Sequence, residues 1–431
     1  MIQDKNRNYF LLKSYVDFLL KLAYRRVEYC GYEKIPRDGA VIYTPNHSNT
    51  LMDALVMLAI DKEAKVFVAR ADIFKNPVIL KILTFLKMLP INRARDGRSS
   101  LAQNEEINRI VVEVLRDKVP FCILPEGTHR PKHSLMPLQK GLFRIALQAN
   151  EAFGSKMPVY IVPEGIEFGH FFRYRSSLLV QIGEPINVTQ FVREHPELTV
   201  NQQINALRDE LTDRIKQVML QIPDDENYDA TLELVRLFSK EQSRRMNLKE
   251  DTLINRFTAG KEIIRKVETS LEFDSPRTRK LLEMAGDFAR KRRSLGIGMA
   301  SILQSHIRWA MAGKIILILL GLPYFIFSAV ATSPITLLSV WLCSKFKDNA
   351  FHNSVRFLIM MVLYPILLLL LGITVAVVFS WLWGLVFSLL FIPSFFFLHD
   401  YARLMRLLIS AIKWLINKDL RKQYKDIKNE K

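Results

Sequence analysis

Followed from end to end, the apolar and polar positions divide the chain into zones with different periods. Between residue 27 and about residue 190, short β-rich runs (AVIYTPNH, KVFVA, PFCIL, PVYIVPEGI, SLLVQIGEPI) alternate with stretches of helical period (LMDALVMLAI, NPVILKILTFLKML, residues 104–116, GLFRIALQAN). Strands separated by helices of that length predict an α/β fold, with a mostly parallel sheet flanked by helices. In such sheets ligand-handling groups gather on the loops after the carboxyl ends of the strands. Residues 196–311 carry a helical period with many charges, and Pro223 and Pro276 mark breaks. This region reads as a helical subdomain whose charged positions are mostly solvated helix faces, with RKRR at 290–293 a basic cluster.

Two apolar blocks follow, at 315–342 and 357–398. A membrane-crossing helix needs about 20 apolar residues. The second block is long enough for two spans broken near 380–384. The first suits one tilted span or a shorter re-entrant hairpin bent near Pro323 or Pro334, and a hairpin is the expected form. At the other end of the chain, residues 1–26 place Phe10, Val16 and Leu20 on one helix face and Lys13, Asp17 and Lys21 on another. No small-residue cleavage site follows, which argues against a signal peptide. An amphipathic helix lying at a membrane interface fits, and so does a helix that simply covers the domain. The expected organisation is an interfacial helix at 1–26, an α/β domain at 27–195, a charged helical region at 196–311, a transmembrane region at 312–400 and a basic tail at 401–431.

Charge narrows the choice of partner. The 431 residues carry 61 Lys and Arg against 43 Asp and Glu, a formal net charge of +18. That excess favours an anionic surface. The apolar C-terminal third makes it lipid, and no aromatic-rich basic strand or recognition motif speaks for nucleic acid. The connector between the apolar blocks has Lys345, Lys347 and Arg356 against Asp348, and the tail from Tyr401 has nine Lys and Arg against three acids. Basic flanks mark the cytoplasmic side. The expectation is an even number of crossings, both termini in the cytoplasm, and the α/β domain on the cytoplasmic face of the inner membrane. Cys30, Cys122 and Cys343 form no C-x-x-C pair, so neither a disulfide framework nor a zinc site is implied.

Four polar clusters fall within the α/β region. In PNHSNTLMD a histidine and an acid, His47 and Asp53, flank the start of a helix. The small polar residues between them suit a helix cap. Equally, His47 suits a general base, because imidazole takes up and returns protons near neutral pH. Six positions apart, the pair meets only if the chain turns between them. LPINRARDG gathers Arg93, Arg95 and Arg98, a basic loop or a phosphate grip. ILPEGTHRPKHSLMPLQKG runs from a strand through Glu126, Gly127, Thr128 and Arg130 to Lys140 and Gly141 at a helix start, where anions are favoured. IVPEGIEF repeats Pro163, Glu164 and Gly165, and reads as a structural turn beside the site.

Taken in order, these clusters make residues 30–190 resemble the glycerolipid acyltransferase superfamily, the group of glycerol-3-phosphate and lysophosphatidic acid acyltransferases. Its first motif pairs Asn-His with an acid separated from the histidine by four residues. Asn46 and His47 match, Met52 stands at the usual acid position, and Asp53 follows one residue later, as in a subgroup of the superfamily. Ile91, Asn92 and Arg93 match the second motif, which implies phosphate binding by Arg93. The third motif, Phe-Pro-Glu-Gly-Thr-Arg-Ser, corresponds to residues 124–130 (LPEGTHR), with His129 in the arginine position and Arg130 in that of the serine. Lys140 and Gly141 match a lysine-glycine pair beyond it, and Ile161, Val162 and Pro163 resemble the fourth motif.

The resemblance implies direct transfer of an acyl group from an acyl thioester to the hydroxyl of a 1-acyl-glycerol-3-phosphate-type acceptor, in phospholipid biosynthesis. The catalytic residues would be His47 and Asp53. The substrate-binding residues would be Asn46, Arg93, Glu126, Gly127, Thr128, Arg130 and Lys140. It implies no metal and no bound cofactor; acyl-coenzyme A or acyl-acyl carrier protein serves as co-substrate, and membrane lipids are the partners. Glycerol 3-phosphate or another lysolipid is the alternative acceptor. The rival class is a non-catalytic protein that holds anionic lipid.

Overall fold

The computed structural model describes residues 1–92 and 98–430, and the side chains of these except 98–103. Its contacts separate two units, Met1–Met219 with Asp348–Ser354, and Leu220–Lys347 with Val355–Lys431.

The first unit opens with helix α1 (Arg7–Ala23), capped by the Asn6 side chain, which accepts from the backbone N–H groups of Asn8 and Tyr9. Its buried face carries Tyr9, Val16, Leu19 and Leu20, while Leu11 and Phe18 are exposed. Lys13 lies on the buried side, paired with Asp17 at 2.7 Å and donating to the Asp61 carbonyl. The helix thus covers the domain along one face and leaves apolar residues outward on the other. Next come β1 (Tyr24–Cys30), β2 (Ala40–Pro45), α2 (Leu51–Leu58), β3 (Val66–Arg70), α3 (Pro77–Phe85), β4 (Met88–Ile91), α4 (Arg98–Arg116), β5 (Phe121–Cys122) and α5 (Gly141–Phe153). The unit finishes with β6 (Val159–Phe168), β7 (Ser176–Ile182), β8 (Ile186–Asn187), α6 (Val188–Glu194) and α7 (Val200–Val218).

The strands form one sheet in the order β1-β7-β6-β2-β5-β3-β4, with β8 beside β6. Pairing is parallel except where β6 meets β7 and β8. The mostly parallel α/β sheet expected from the periodicity is therefore present. Every residue of β2 is buried, as a strand covered on both faces requires. The core between sheet and helices is built from Ile42, Val66, Phe121, Phe143, Ile161 and Leu211, among others.

Three local expectations give way. The run NPVILKILTFLKML is not one helix. α3 stops at Phe85, Lys87 takes a positive φ of 59°, and β4 begins at Met88. An apolar run alone does not separate a helix end from a buried strand. The repeated Pro163–Glu164–Gly165 is not a turn but the middle of β6, where Pro45 pairs with Glu164. Glycine is required there, because a Cβ on Gly165 would lie 1.8 Å from the Val218 carbonyl oxygen. Finally, the α/β unit runs on to Met219 instead of ending at 195. α7 places Ile204, Leu207, Leu211 and Ile215 in the same core as the sheet, so its charged face alone is solvated.

The second unit contains α8 (Tyr228–Arg245), α9 (Leu253–Glu272), α10 (Pro276–Ser294), α11 (Met299–Ile302), α12 (Ile307–Ala331), α13 (Ser333–Ser344), all but the first turn of α14 (Ala350–Val378), α15 (Trp381–Ile416) and α16 (Lys418–Glu430). Leu234, Phe238, Ile264 and Phe288 from the charged helical region share a core with Trp414 and Ile427. Residues 401–431, the basic tail, are helical: α15 continues to Ile416, and α16 packs on α10 through Tyr424 and Phe288. The RKRR run is not wholly solvated. Arg292 is buried and grips Glu233 with two parallel bonds, Nε to Oε1 at 2.5 Å and Nη2 to Oε2 at 2.8 Å.

Among the described residues three helices are long and apolar enough to cross a membrane, α12, α14 and α15. The expected break in the second block falls at Ser380, the N-cap of α15. The first block does not supply two spans. α12 passes straight through Pro323, and the 12-residue α13, with Pro334 in its first turn, is well below the roughly 20 residues a crossing needs.

Candidate active site

Two neighbouring parallel strands, β2 and β5, deliver the site. After β2 ends at Pro45, the chain passes through Asn46 and His47 and enters α2 at Leu51. The turn demanded by the six-residue separation is made at Thr50, whose φ of 49° and ψ of −125° lie in a region that favours glycine. Such a conformation costs on the order of 1–3 kcal/mol and persists only where the surroundings enforce it. Here it brings His47 Nδ1 to 2.8 Å from Asp53 Oδ2. Asp53 sits in the first turn of α2, fully buried, where a helix favours an acid. The same Oδ2 also accepts the backbone N–H groups of Ser48 at 2.9 Å and Asn49 at 2.7 Å. Three donors on one oxygen offset the burial of the carboxylate and fix it against the imidazole.

Glu126, after β5, ties two loops together. Its Oε1 accepts the backbone N–H of His47 at 2.6 Å, and its Oε2 that of Met136 at 2.9 Å. Burial pushes its carboxyl up to about 7, against the pull of those two N–H donors. Each oxygen accepts from backbone, so the residue braces the two loops. Asn46 is held by backbone in the same way. Its side chain is buried, with Oδ1 accepting from Ile166 N at 2.6 Å and Nδ2 donating to Ile166 O at 3.3 Å. Glu164 braces from β6, taking the Thr44 N–H at 2.7 Å on Oε2, and its full burial drives its carboxyl well upward.

The remaining expected residues are distributed unevenly. Gly127 is exposed at φ +67°, at the turn after Glu126. Thr128 is half-buried beside it. Arg130 donates its backbone N–H to the His47 carbonyl at 3.2 Å and Nη2 to the Ser134 carbonyl at 3.3 Å, within its own loop. Lys140 is exposed at the start of α5, and Gln139 N bonds the Pro125 carbonyl next to it. Arg93 lies outside the described residues. His129, which has no role in the sequence reading, is the side chain nearest in character to His47: their rings meet edge to face at 5.6 Å. Its neighbour in the motif, Arg130, drew attention by charge, and nothing in the motif pattern marks which of the two turns inward. Thr50 was equally unmarked, since only the backbone shows the strain it carries.

Comparison with known proteins fits this geometry. The Acyltransferase family model matches residues 26–167, from β1 to β6, and includes every residue of the His47–Asp53 and Glu126 clusters. Through that stretch the chain resembles the glycerolipid acyltransferase superfamily. The chain is 28% identical over 204 residues to glycerol-3-phosphate O-acyltransferase 2 of Saccharomyces cerevisiae, covering 47% of this chain and 26% of that protein. It is 27% identical to a 1-acyl-sn-glycerol-3-phosphate acyltransferase of Cocos nucifera (35% of this chain, 44% of that one). It is 22% identical to the 1-acyl-sn-glycerol-3-phosphate acyltransferase of Bacillus subtilis (43% of this chain, 84% of that one). The chain thus spans about a quarter of the yeast relative and under half of the coconut one. A crystal structure of the 1-acyl-sn-glycerophosphate (LPA) acyltransferase PlsC from Thermotoga maritima aligns with half of this chain and 83% of its own, at 18% identity and a TM-score of 0.35.

Proposed function

We propose that the protein transfers an acyl group from an acyl thioester to the hydroxyl of a 1-acyl-glycerol-3-phosphate-type acceptor at a membrane. The observation that carries this is the 2.8 Å contact of His47 Nδ1 with an Asp53 carboxylate already pinned by two backbone amides. With Nδ1–H donated to Asp53, the other ring nitrogen, Nε2, is the base. It takes the acceptor's hydroxyl proton as the oxygen attacks the thioester carbonyl. The carbon–sulfur bond then breaks, and the imidazolium returns the proton to the departing thiolate. Asp53 stabilises the imidazolium in between and does not itself need to be protonated. A base so placed contributes about 10²–10⁴-fold. No acyl-enzyme is involved, and the buried Cys122 has its thiol driven upward by burial, away from the reactive thiolate.

Arg93 and Lys140 are proposed to hold the acceptor's phosphate, with Gly127 and Thr128 lining the approach. Acyl-coenzyme A or acyl-acyl carrier protein would be the donor, and membrane lipids the milieu. The basic flanks of the apolar helices favour a place in the inner membrane with the acyltransferase domain on the cytoplasmic side. Glycerol 3-phosphate is the second reading of the acceptor, favoured by the yeast relative's match over 204 residues. The test is to incubate membranes containing the protein with a labelled acyl thioester and a panel of glycerol 3-phosphate, 1-acyl-glycerol 3-phosphate and phosphate-free lysolipids. Label in phosphatidic acid is expected. Label in the product of glycerol 3-phosphate would shift the acceptor, and no labelled product would refute the activity.

A further inference from the structure

The segment Asp348–Ser354 belongs to the first unit although it lies far beyond the residues that match the acyltransferase family. It bears on the residue that lets the dyad form. Thr50 is the N-cap of α2, and a threonine there ordinarily turns its hydroxyl onto the free N–H groups of its own helix. Here the hydroxyl caps nothing in α2. Instead it donates to the Ala350 carbonyl at 3.2 Å and lies 2.7 Å from the Ser354 hydroxyl, 304 positions along the chain. Thr50 has one hydroxyl proton, so with that proton on Ala350 the second bond is donated by Ser354. Both side chains are buried, where a bond left unmade is costly. The segment is fixed at a second point as well. Asp348 Oδ1 accepts the Ala350 N–H at 2.8 Å, its Oδ2 lies 2.7 Å from His129 Nε2, and the Phe351 ring meets that of His129 edge to face at 5.3 Å.

The backbone of Thr50 explains what this grip is for. Its φ of 49° and ψ of −125° are close to the first central position of a type II′ turn, which glycine dominates. A β-branched residue there is strained, and keeps that conformation only where its surroundings enforce it. The turn in question is the one that brings His47 Nδ1 to Asp53 Oδ2. We propose that Ser354 is a positioning residue for the dyad: with the Ala350 carbonyl it holds Thr50 in the strained turn that aims His47 at Asp53. The catalytic geometry is then completed from outside the matched domain, by the start of α14. Beyond Ser354 that helix continues as one of the three able to cross a membrane. The inference rests on the activity proposed above for the role of His47, while the state of the turn is read separately.

The experiment uses the full chain in detergent micelles, with Ser354→Ala, Thr50→Gly and the Thr50→Gly/Ser354→Ala double variant. Steady-state kinetics with acyl-coenzyme A and 1-acyl-glycerol 3-phosphate give kcat and both KM values, and equilibrium binding of the labelled acceptor gives the number of sites per chain. Proton magnetic resonance reads the dyad itself, through the downfield signal of an imidazole N–H bonded to a carboxylate, assigned by its loss in His47→Ala. Ser354→Ala is expected to lower kcat about tenfold, the scale of one buried hydrogen bond, with both KM values within about threefold and the number of sites unchanged. The His47 signal should weaken with it. Glycine needs no clamp at that φ and ψ. With glycine at position 50, adding Ser354→Ala should therefore cost less than about threefold in kcat and leave the signal in place. A brace for the fold alone would lower the number of sites and would not depend on the residue at position 50. Wild-type kcat in Ser354→Ala, or the same loss whether position 50 is threonine or glycine, would overturn the inference. A wild type that shows the signal with this variant pattern yet transfers nothing would sink the activity and leave the inference standing. Transfer by the wild type, with kcat and signal indifferent to Ser354, would do the reverse, and a wild type with neither transfer nor signal defeats both.

Discussion

Glu126→Gln keeps the shape of the side chain that bridges the His47 and Met136 amides and removes its titration. In the folded protein burial raises this carboxyl to about 7, from an ordinary value of 4.5. The fold therefore holds the proton more tightly than the unfolded chain. Its contribution to stability is fully present below about pH 4.5 and is lost as pH rises through about 7. A gap of about 2.5 pH units corresponds to at most about 3 kcal/mol across that window. The variant changes this in two ways. Its amide can accept one of the two backbone N–H groups but must present NH₂ to the other, a loss of about 1–3 kcal/mol that does not depend on pH. It also removes the pH-dependent part. All five tryptophans lie at positions 309–414, in the other unit, so fluorescence would miss the effect. Hydrogen exchange read by mass spectrometry on the peptides carrying His47 and Met136 reports it directly, after correction for the intrinsic rate. In the wild type, protection of these amides should fall between pH 5 and 7.5; in Glu126→Gln it should start lower and stay level. Parallel pH dependence in both proteins would refute the assignment of the raised carboxyl to Glu126 and of the bracing role to its burial.

Two further outcomes follow from buried pairs. Arg292→Ala leaves the Glu233 carboxylate in the helical core without its bidentate partner, and should cost about 3–5 kcal/mol, visible as an earlier thermal transition in the fluorescence of Trp414, which shares that core. Asp53→Asn preserves the size of the residue and an oxygen for the Ser48 and Asn49 amides, but no longer stabilises an imidazolium. It should lower kcat by about 10²–10⁴-fold while circular dichroism and acceptor KM stay near wild type.

The fold was legible where period and length agreed. Alternating β-rich and helical runs between residues 27 and 190 marked an α/β sheet, and the His47 and Glu126 clusters sit after the ends of β2 and β5, where such sheets place ligands. β4 was not legible, because Met88–Ile91 continues an apolar run with no break other than the backbone of Lys87. Nor was the inward role of Glu126 and Asn46. Both are polar residues in a motif, and only the register of neighbouring strands shows that their side chains are consumed by backbone amides. The contact of Asp348 with His129 joins residues 219 positions apart, and no local pattern encodes it. Charge was silent at 290–293, since composition does not reveal which arginine meets a buried acid.

The central claim, that His47 is the base of an acyl transfer, is tested most directly by His47→Ala in the full chain. Its imidazole touches Asp53 and the edge of the His129 ring, while the amide and carbonyl that bind Glu126 and Arg130 are backbone and survive the substitution. The variant should reach the membrane and bind acceptor like the wild type, and transfer of labelled acyl group to 1-acyl-glycerol 3-phosphate should fall by at least about 10²-fold. Transfer by purified His47→Ala at the wild-type rate would contradict it.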